Sequence, residues 1–348
     1  MGDKTKIDWC DASWNPVTGC RHNCPYCYAY GIAKRFGAHL CDPLKRENHV
    51  LEHPVRTSET HEYMRMVGIK EGPSLPYPYD FDPTFHKYRL DIPFRWTRPR
   101  TIFVCSMADL FGNWVPDDWI IQVLEACRKA PWHRYLFLTK NPNRYDELED
   151  KGIITPADCN FWLGSTVTVE TRDKMHYHSK MHTFQSCEPM LAPWPKAGPP
   201  NPESMKNHWM PEWVIFGAET GNRKGKVIPK KEWVDNAVQM CRNMGAAVFM
   251  KDSLRGIMGP DFVQEYPWEP FEKAGGGNTA MKLCHISRQQ YLEGLNDEIS
   301  DHGLMGSIKK RLDQIDQHCA NLQYLDHRLI QELCSEINDL LTVYAERR

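Results

Sequence analysis

The chain has 348 residues, 41% of them apolar and 11% aromatic, which is enough to bury a sizeable core in one large domain or two ordinary ones. Forty-three Lys and Arg against 45 Asp and Glu give a formal net charge of −2, which excludes coating of nucleic acid by bulk charge and leaves room for local basic patches. The opening MGDKTKIDWCD lacks the apolar centre of a secretory signal, no apolar run reaches membrane-spanning length, and the thirteen cysteines are too scattered for a secreted disulfide framework. The expectation is a reduced, cytoplasmic protein with no membrane contact.

The first distinctive stretch is WNPVTGCRHNCPYCYA, which sets Cys20, Cys24 and Cys27 in a CxxxCxxC spacing. Three thiolates on one short loop can bind three irons of a [4Fe–4S] cluster and leave the fourth iron without a protein ligand. A structural zinc site wants four ligands, commonly as two short-spaced pairs. No second CxxC pair exists, but His22 and Cys10 are near enough in sequence to keep a zinc alternative open.

Residues 37–99 read as an insertion with an irregular Pro/Tyr-rich centre, PSLPYPYDFDP. Beyond it, short β-rich runs recur: RTIFVCSM (100–107), HRYLFLTK (133–140), NFWLGSTVTV (160–169), HTFQSCEPM (182–190), EWVIFGAE (212–219) and GAAVFMKD (245–252). Amphipathic helices are expected over 117–130, 170–181 and 230–244, the first with Ile120, Val123, Leu124 and Cys127 on one face. Strands apolar on both faces, alternating with helices, predict an α/β fold: a partial or full parallel β/α barrel.

Polar residues gather where these strands end: Ser106 and Asp109, Thr139 and Lys140, Ser165 and Thr166, Glu188, Glu219, Lys251 and Asp252. In parallel barrels that edge carries the chemistry. Glu188 and Glu219 need partners if buried, and a barrel-lining ion pair with Lys140 or Lys251 would serve. Cys187 reads either as plain core or as a hydrogen-atom donor beside Glu188. Two basic runs, Arg223–Lys231 and Lys174–His182, read as solvated surface or as phosphate anchors. His178 and His182 would share a helix face, yet no acidic or cysteine partner lies nearby.

Residues 191–211 are loop-like and proline-rich, and Gly275–Gly277 precedes a change of composition. From about Leu304 to Tyr344 an apolar stripe running from Ile308 through Leu329, Leu333, Ile337 and Leu340 predicts a long helix or helical hairpin. It either packs back onto the barrel or forms a homodimer contact. The expected division is therefore 1–284, a barrel carrying the 37–99 insertion, and 285–348, a C-terminal helical extension.

With Tyr26 immediately before Cys27, the cysteine motif resembles the radical S-adenosylmethionine (SAM) superfamily, whose signature is CxxxCx(aromatic)C after the first barrel strand. WNPVTGC, SMADLFGNWVPDDWI, FLTKNPNR, WLGSTV, SCEPML and WVIFGAETG together resemble a phage-associated, radical-SAM-like family distantly similar to spore photoproduct lyase. The likeness covers about residues 7–255.

It implies a [4Fe–4S] cluster on Cys20, Cys24 and Cys27, SAM on its open iron, an external electron donor, and hydrogen-atom abstraction from a nucleotide or nucleic-acid substrate. It also implies that Tyr26 meets the adenine side of SAM. Ser106 and Asp109 would stand in for a Gly-Gly-Glu-like segment that this chain lacks. Ser165 and Thr166 would hold the ribose or carboxylate, and Lys140 the carboxylate or a substrate phosphate. Cys187, Lys140, Glu188 and Glu219 are the candidate catalytic residues. Two other readings stay open: a zinc-stabilised nucleic-acid-binding protein without catalysis, and a cluster-bearing scaffold.

Overall fold

The computed structural model describes residues 5–40, 42, 45–57, 73–168, 181–194, 211–221 and 223–268. The helix expected over 170–181, most of the basic run 174–182, the proline-rich stretch and the C-terminal helical segment lie outside the described residues.

The elements run β1 (Ala12–Trp14), β2 (Val17–Thr18), α1 (Tyr28–Phe36), β3 (His49–Leu51), β4 (Thr84–His86), β5 (Thr101–Val104), α2 (Asp117–Arg128), β6 (Arg134–Thr139), α3 (Asn143–Asp150), β7 (Phe161–Thr166), β8 (His182–Cys187), β9 (Trp213–Phe216), α4 (Lys231–Met244) and β10 (Ala247–Met250). Seven strands form one sheet in the order β1-β5-β6-β7-β8-β9-β10. Every neighbour pair is parallel. Sequential parallel strands with helical crossovers wind in one direction, and the result is a half-barrel.

All six β-rich runs become strands because each is buried on both faces. Side chains alternate across the sheet. Phe137, Phe161 and Leu163 pack with Ile120, Val123, Leu124 and Cys127 of α2 on the helix side. Val214, Phe216 and Val248 pack with Val234, Ala237 and Cys241 of α4. Phe103, Leu136, Trp162, Phe184, Trp213 and Phe249 line the concave side. Gly164 makes room there: a Cβ at this position would lie 2.3 Å from the Phe184 ring.

The concave side is filled by the segment before β1. Trp9 is 2% exposed and joins the concave cluster, with its ring centroid 4.6 Å from Phe103 and 6.2 Å from Trp213. Asp11 accepts from the Thr101 N–H at 2.7 Å. Asp8 accepts from the Asp252 N–H at 2.9 Å. This strap therefore reaches from the first strand of the sheet to the last.

The 37–99 insertion contains more regular structure than its composition predicts. Its ends supply β3 and β4, which pair with each other in parallel, while β4 pairs antiparallel with β2. The Pro/Tyr-rich centre is irregular, as expected. Eight of the described cysteines are free. Cys159 is the exception to the expected reduced state, being disulfide-bonded. No helix among the described residues is long and apolar enough to cross a membrane.

Candidate functional site: the cysteine loop at the barrel mouth

The loop carrying Cys20, Cys24 and Cys27 leaves β2 and enters α1. Two backbone bonds anchor its start: Gly19 N–H to the Met107 carbonyl (2.9 Å) and Cys20 N–H to the Phe81 carbonyl (3.2 Å). Gly19 has φ +88°, and a Cβ there would lie 2.2 Å from the Asp82 carbonyl oxygen, so only glycine fits. Arg46, from the insertion, donates to the Cys20 carbonyl at 3.5 Å and to Asp82 at 3.0 Å. The insertion is thus the floor on which the cysteine loop rests.

Cys27 is the N-cap of α1, its sulfur accepting from the Tyr30 N–H at 3.4 Å. All three cysteines are half-buried. Burial pushes the Cys20 thiol up to about 12, with the charge of Asp109 adding to it. Burial also raises the Cys24 thiol, opposed by the cation of Lys140. The Lys140 ammonium lies 5.9 Å from the Tyr26 ring centroid, which ties the end of β6 to the aromatic residue of the motif.

Asp109 is the hub of the mouth. Its Oδ2 accepts from His22 Nε2 (2.7 Å) and the Lys140 N–H (2.9 Å), and its Oδ1 from the Thr139 hydroxyl (2.7 Å) and the Phe111 N–H (3.1 Å). Burial pushes the carboxyl up, but the His22 contact, the Lys140 N–H and the Thr139 hydroxyl bring it below the usual carboxylate range. With four donors engaged, Asp109 organises the loop. Ser106 donates to Asn15 Oδ1 at 3.2 Å, and its carbonyl accepts from the Tyr28 hydroxyl at 2.7 Å.

Glu188 and Lys251 form an ion pair across the ends of β8 and β10, one of the two partners expected for a buried strand-end carboxylate. Glu219 takes a different partner from those expected: Arg223 four residues on, by two bonds of 2.5 and 2.7 Å that hold its carboxyl below the usual range. Thr166 shares the concave side with Trp162, whereas Ser165 shares the helix side with Leu163.

Cys187 does not reach the mouth. It is 2% exposed and packs with Val214, Phe216 and Cys241 between the sheet and α4, and burial pushes its thiol well above the ordinary value. Of the two readings of Cys187, plain core is the one this packing matches.

Of the basic run 223–231, Arg223 is spent on Glu219 and Lys231 on Asp235 and Asp261. Lys226 also donates to the Gly221 carbonyl at 3.3 Å. Of the alternative fourth ligands, His22 is bonded to Asp109, and the Cys10 thiol faces the Ile7 carbonyl at 3.9 Å. Among the described residues, no three His, Cys, Asp or Glu side chains are gathered closely enough to hold a single metal ion.

Asn15 is a site residue that sequence reasoning missed. Its Oδ1 also accepts from the Met107 N–H at 2.9 Å, which fixes the turn after β5. Arg89 Nη1 in turn donates to the Asn15 carbonyl at 2.9 Å. The available signal was a polar amide between Trp14 and Pro16, directly before the cysteine motif.

Fold and site together define an α/β half-barrel protein with a three-cysteine loop clamped at the carboxyl-terminal edge of its sheet. Residues 4–257 match the family model described as protein of unknown function (DUF5131). The chain belongs to the DUF5131 family. No curated protein and no solved structure matches it.

Proposed function

We propose that this protein is a radical SAM enzyme in which Cys20, Cys24 and Cys27 hold three irons of a [4Fe–4S] cluster. The observation that carries the reading is the position of three free thiols, eight residues end to end, on a loop anchored at the mouth of a parallel half-barrel. Each thiolate of such a cluster binds its own iron, so the sulfurs need not converge on one point. A structural zinc site wants four ligands, commonly as two short-spaced pairs, and the sequence has no second CxxC pair.

When bound, the cluster and SAM supply a 5′-deoxyadenosyl radical that abstracts a hydrogen atom from a substrate. The chain's own residues bind and orient. Asp109 and His22 fix the loop against β5 and β6, Lys140 offsets the negative charge of deprotonated thiols, and Tyr26 and Thr166 face the ligand. Glu188 and Lys251 lie across the mouth to meet a polar substrate. A nucleotide or nucleic-acid substrate is supported by the exposed cations Lys224, Lys226 and Lys230.

Anaerobic reconstitution with iron and sulfide tests the reading. The expected product binds about four irons per chain and shows an altered reduced-cluster resonance on adding SAM. Cys20→Ser, Cys24→Ser and Cys27→Ser each abolish it. Stoichiometric zinc with no iron uptake overturns the proposal.

A further inference from the structure

Helix α1 leaves the cysteine loop with an uncovered apolar ridge. Tyr28, Ile32 and Phe36, spaced four apart on one helix face, are 53%, 37% and 53% exposed, and Leu40 just beyond the helix is 42% exposed. Tyr30 beside them is 52% exposed. Five of the eight exposed large apolar side chains among the described residues therefore fall within thirteen consecutive positions. Such a concentration marks an interaction surface rather than scattered surface residues.

Arg35 flanks the ridge and Lys34 adds a cation on the far side of the helix, while the Asp80 carboxylate meets His39 beyond its C-terminal end. Residues 12–41 contain Arg21, Lys34 and Arg35 and not one Asp or Glu. Lys34 and Arg35 are exposed on α1 itself, and the Arg35 guanidinium sits 5.2 Å from the Phe36 ring centroid, on the flank of the ridge. The occupant must offer an apolar stripe edged with carboxylates.

The chain carries one such sequence. Residues 312–346 hold seven acidic side chains and a single arginine. Leu329, Leu333, Ile337, Leu340 and Tyr344 recur at helical spacing, and Glu332, Glu336 and Asp339 each directly precede a stripe residue, so on a helix they edge one side of it. About sixty residues separate Trp268 from this stripe; even part of that length, extended at roughly 3.3 Å per residue, reaches anywhere on the domain. An acidic nucleic acid would match the charge alone. The stripe matches both the charge and the apolar ridge of Ile32, Phe36 and Leu40.

We propose that the segment 326–344 docks on the exposed ridge of α1 in its own chain and covers the outer side of the cysteine loop. The proposal goes beyond the cluster assignment and stands whatever metal the cysteines hold.

Hydrogen exchange on the full chain tests it, with light scattering in parallel. In the unaltered chain the amides of residues 28–40 are protected. Leu333→Asp, Ile337→Asp and Leu340→Asp together speed their exchange about tenfold or more, as loss of a covering element requires, while β6 and β7 keep their protection. Lys34→Glu with Arg35→Glu weakens protection as well, and adding Glu332→Lys, Glu336→Lys and Asp339→Lys restores it. Light scattering reports a monomer throughout.

Unchanged exchange in the stripe variant overturns the proposal. A dimer that dissociates with the same substitutions overturns it in favour of a second copy as occupant. Protection that arises only on adding a mixed-sequence single-stranded DNA oligonucleotide overturns it in favour of nucleic acid.

Discussion

His22 Nε2 donates to Asp109 Oδ2 at 2.7 Å, a contact spanning 87 residues that fastens the cysteine loop to the turn after β5. Through Asp109 the same loop is tied to Thr139 and the Lys140 backbone at the end of β6. Asp109→Ala removes one acceptor group and strands several buried donors. The expected loss is on the order of 3 kcal/mol of stability, read from urea unfolding, together with loss of iron uptake on reconstitution. A variant with unchanged stability and uptake would show that the hub is dispensable.

His133 sets a pH dependence far from the mouth. Its Nε2 donates to the Pro93 carbonyl at 2.9 Å and its Nδ1 accepts from the Arg100 N–H at 3.1 Å, which fixes the neutral tautomer. Burial lowers its pKa to about 4. The unfolded chain, with an ordinary histidine, binds the extra proton first as pH falls. Stability is therefore complete above about 6.5 and declines toward about 4, by roughly 3 kcal/mol for this group. Urea midpoints across that range should fall with pH, and His133→Gln should flatten the slope. His86, lowered to about 2 by burial and by Arg89, adds a slope of the same sign over this range, so part of the dependence persists in His133→Gln.

The Glu188–Lys251 pair lends itself to a double-mutant cycle. Each partner is mostly covered, at 28% and 17% side-chain exposure. Lys251→Met leaves the Glu188 and Asp8 carboxylates without the ammonium they share, whereas Glu188→Gln leaves that ammonium with Asp8 alone, at 3.8 Å. The double variant should recover about 1 kcal/mol or more relative to the sum of the singles. Strict additivity in thermal or urea unfolding would mean that the two charges do not interact.

Cys187 and Cys24 should separate cleanly. Cys187→Ala removes a buried sulfur from the core beside α4 and is expected to cost about 1–2 kcal/mol while leaving iron content intact. Cys24→Ala should leave unfolding nearly unchanged in the metal-free chain and eliminate cluster assembly. Iron analysis and urea titration on the two variants provide the check, and iron loss in Cys187→Ala would return that residue to the site.

The central strands were legible because YLFL and WVIF are apolar on both faces, a pattern that belongs to a covered parallel sheet. β1 was not, since Ala12–Trp14 is only three residues long and is a strand by virtue of its register with Ile102–Val104. β3 and β4 escaped for the same reason: pairing across more than thirty residues decides them, and composition carries no trace of it. Asp109 stood out as a polar residue near a strand end, but its partners at positions 22 and 139 come together only in the fold. Glu219 shows the opposite error, because a long-range pair was expected and a local one, with Arg223, is what forms.

The strap from Ile7 to Asp11 has a bearing on how the domain is completed during synthesis. Asp8 leaves the ribosome before every strand of the sheet, yet its carboxylate meets the backbone of Asp252, 244 positions later. Until β10 emerges, Trp9 has no finished concavity to occupy, and Trp213 and Phe249 have no Trp9 to pack against. The oldest and the youngest parts of the half-barrel are thus locked in a single late event, and a chain lacking either would keep its aromatic interior open to water.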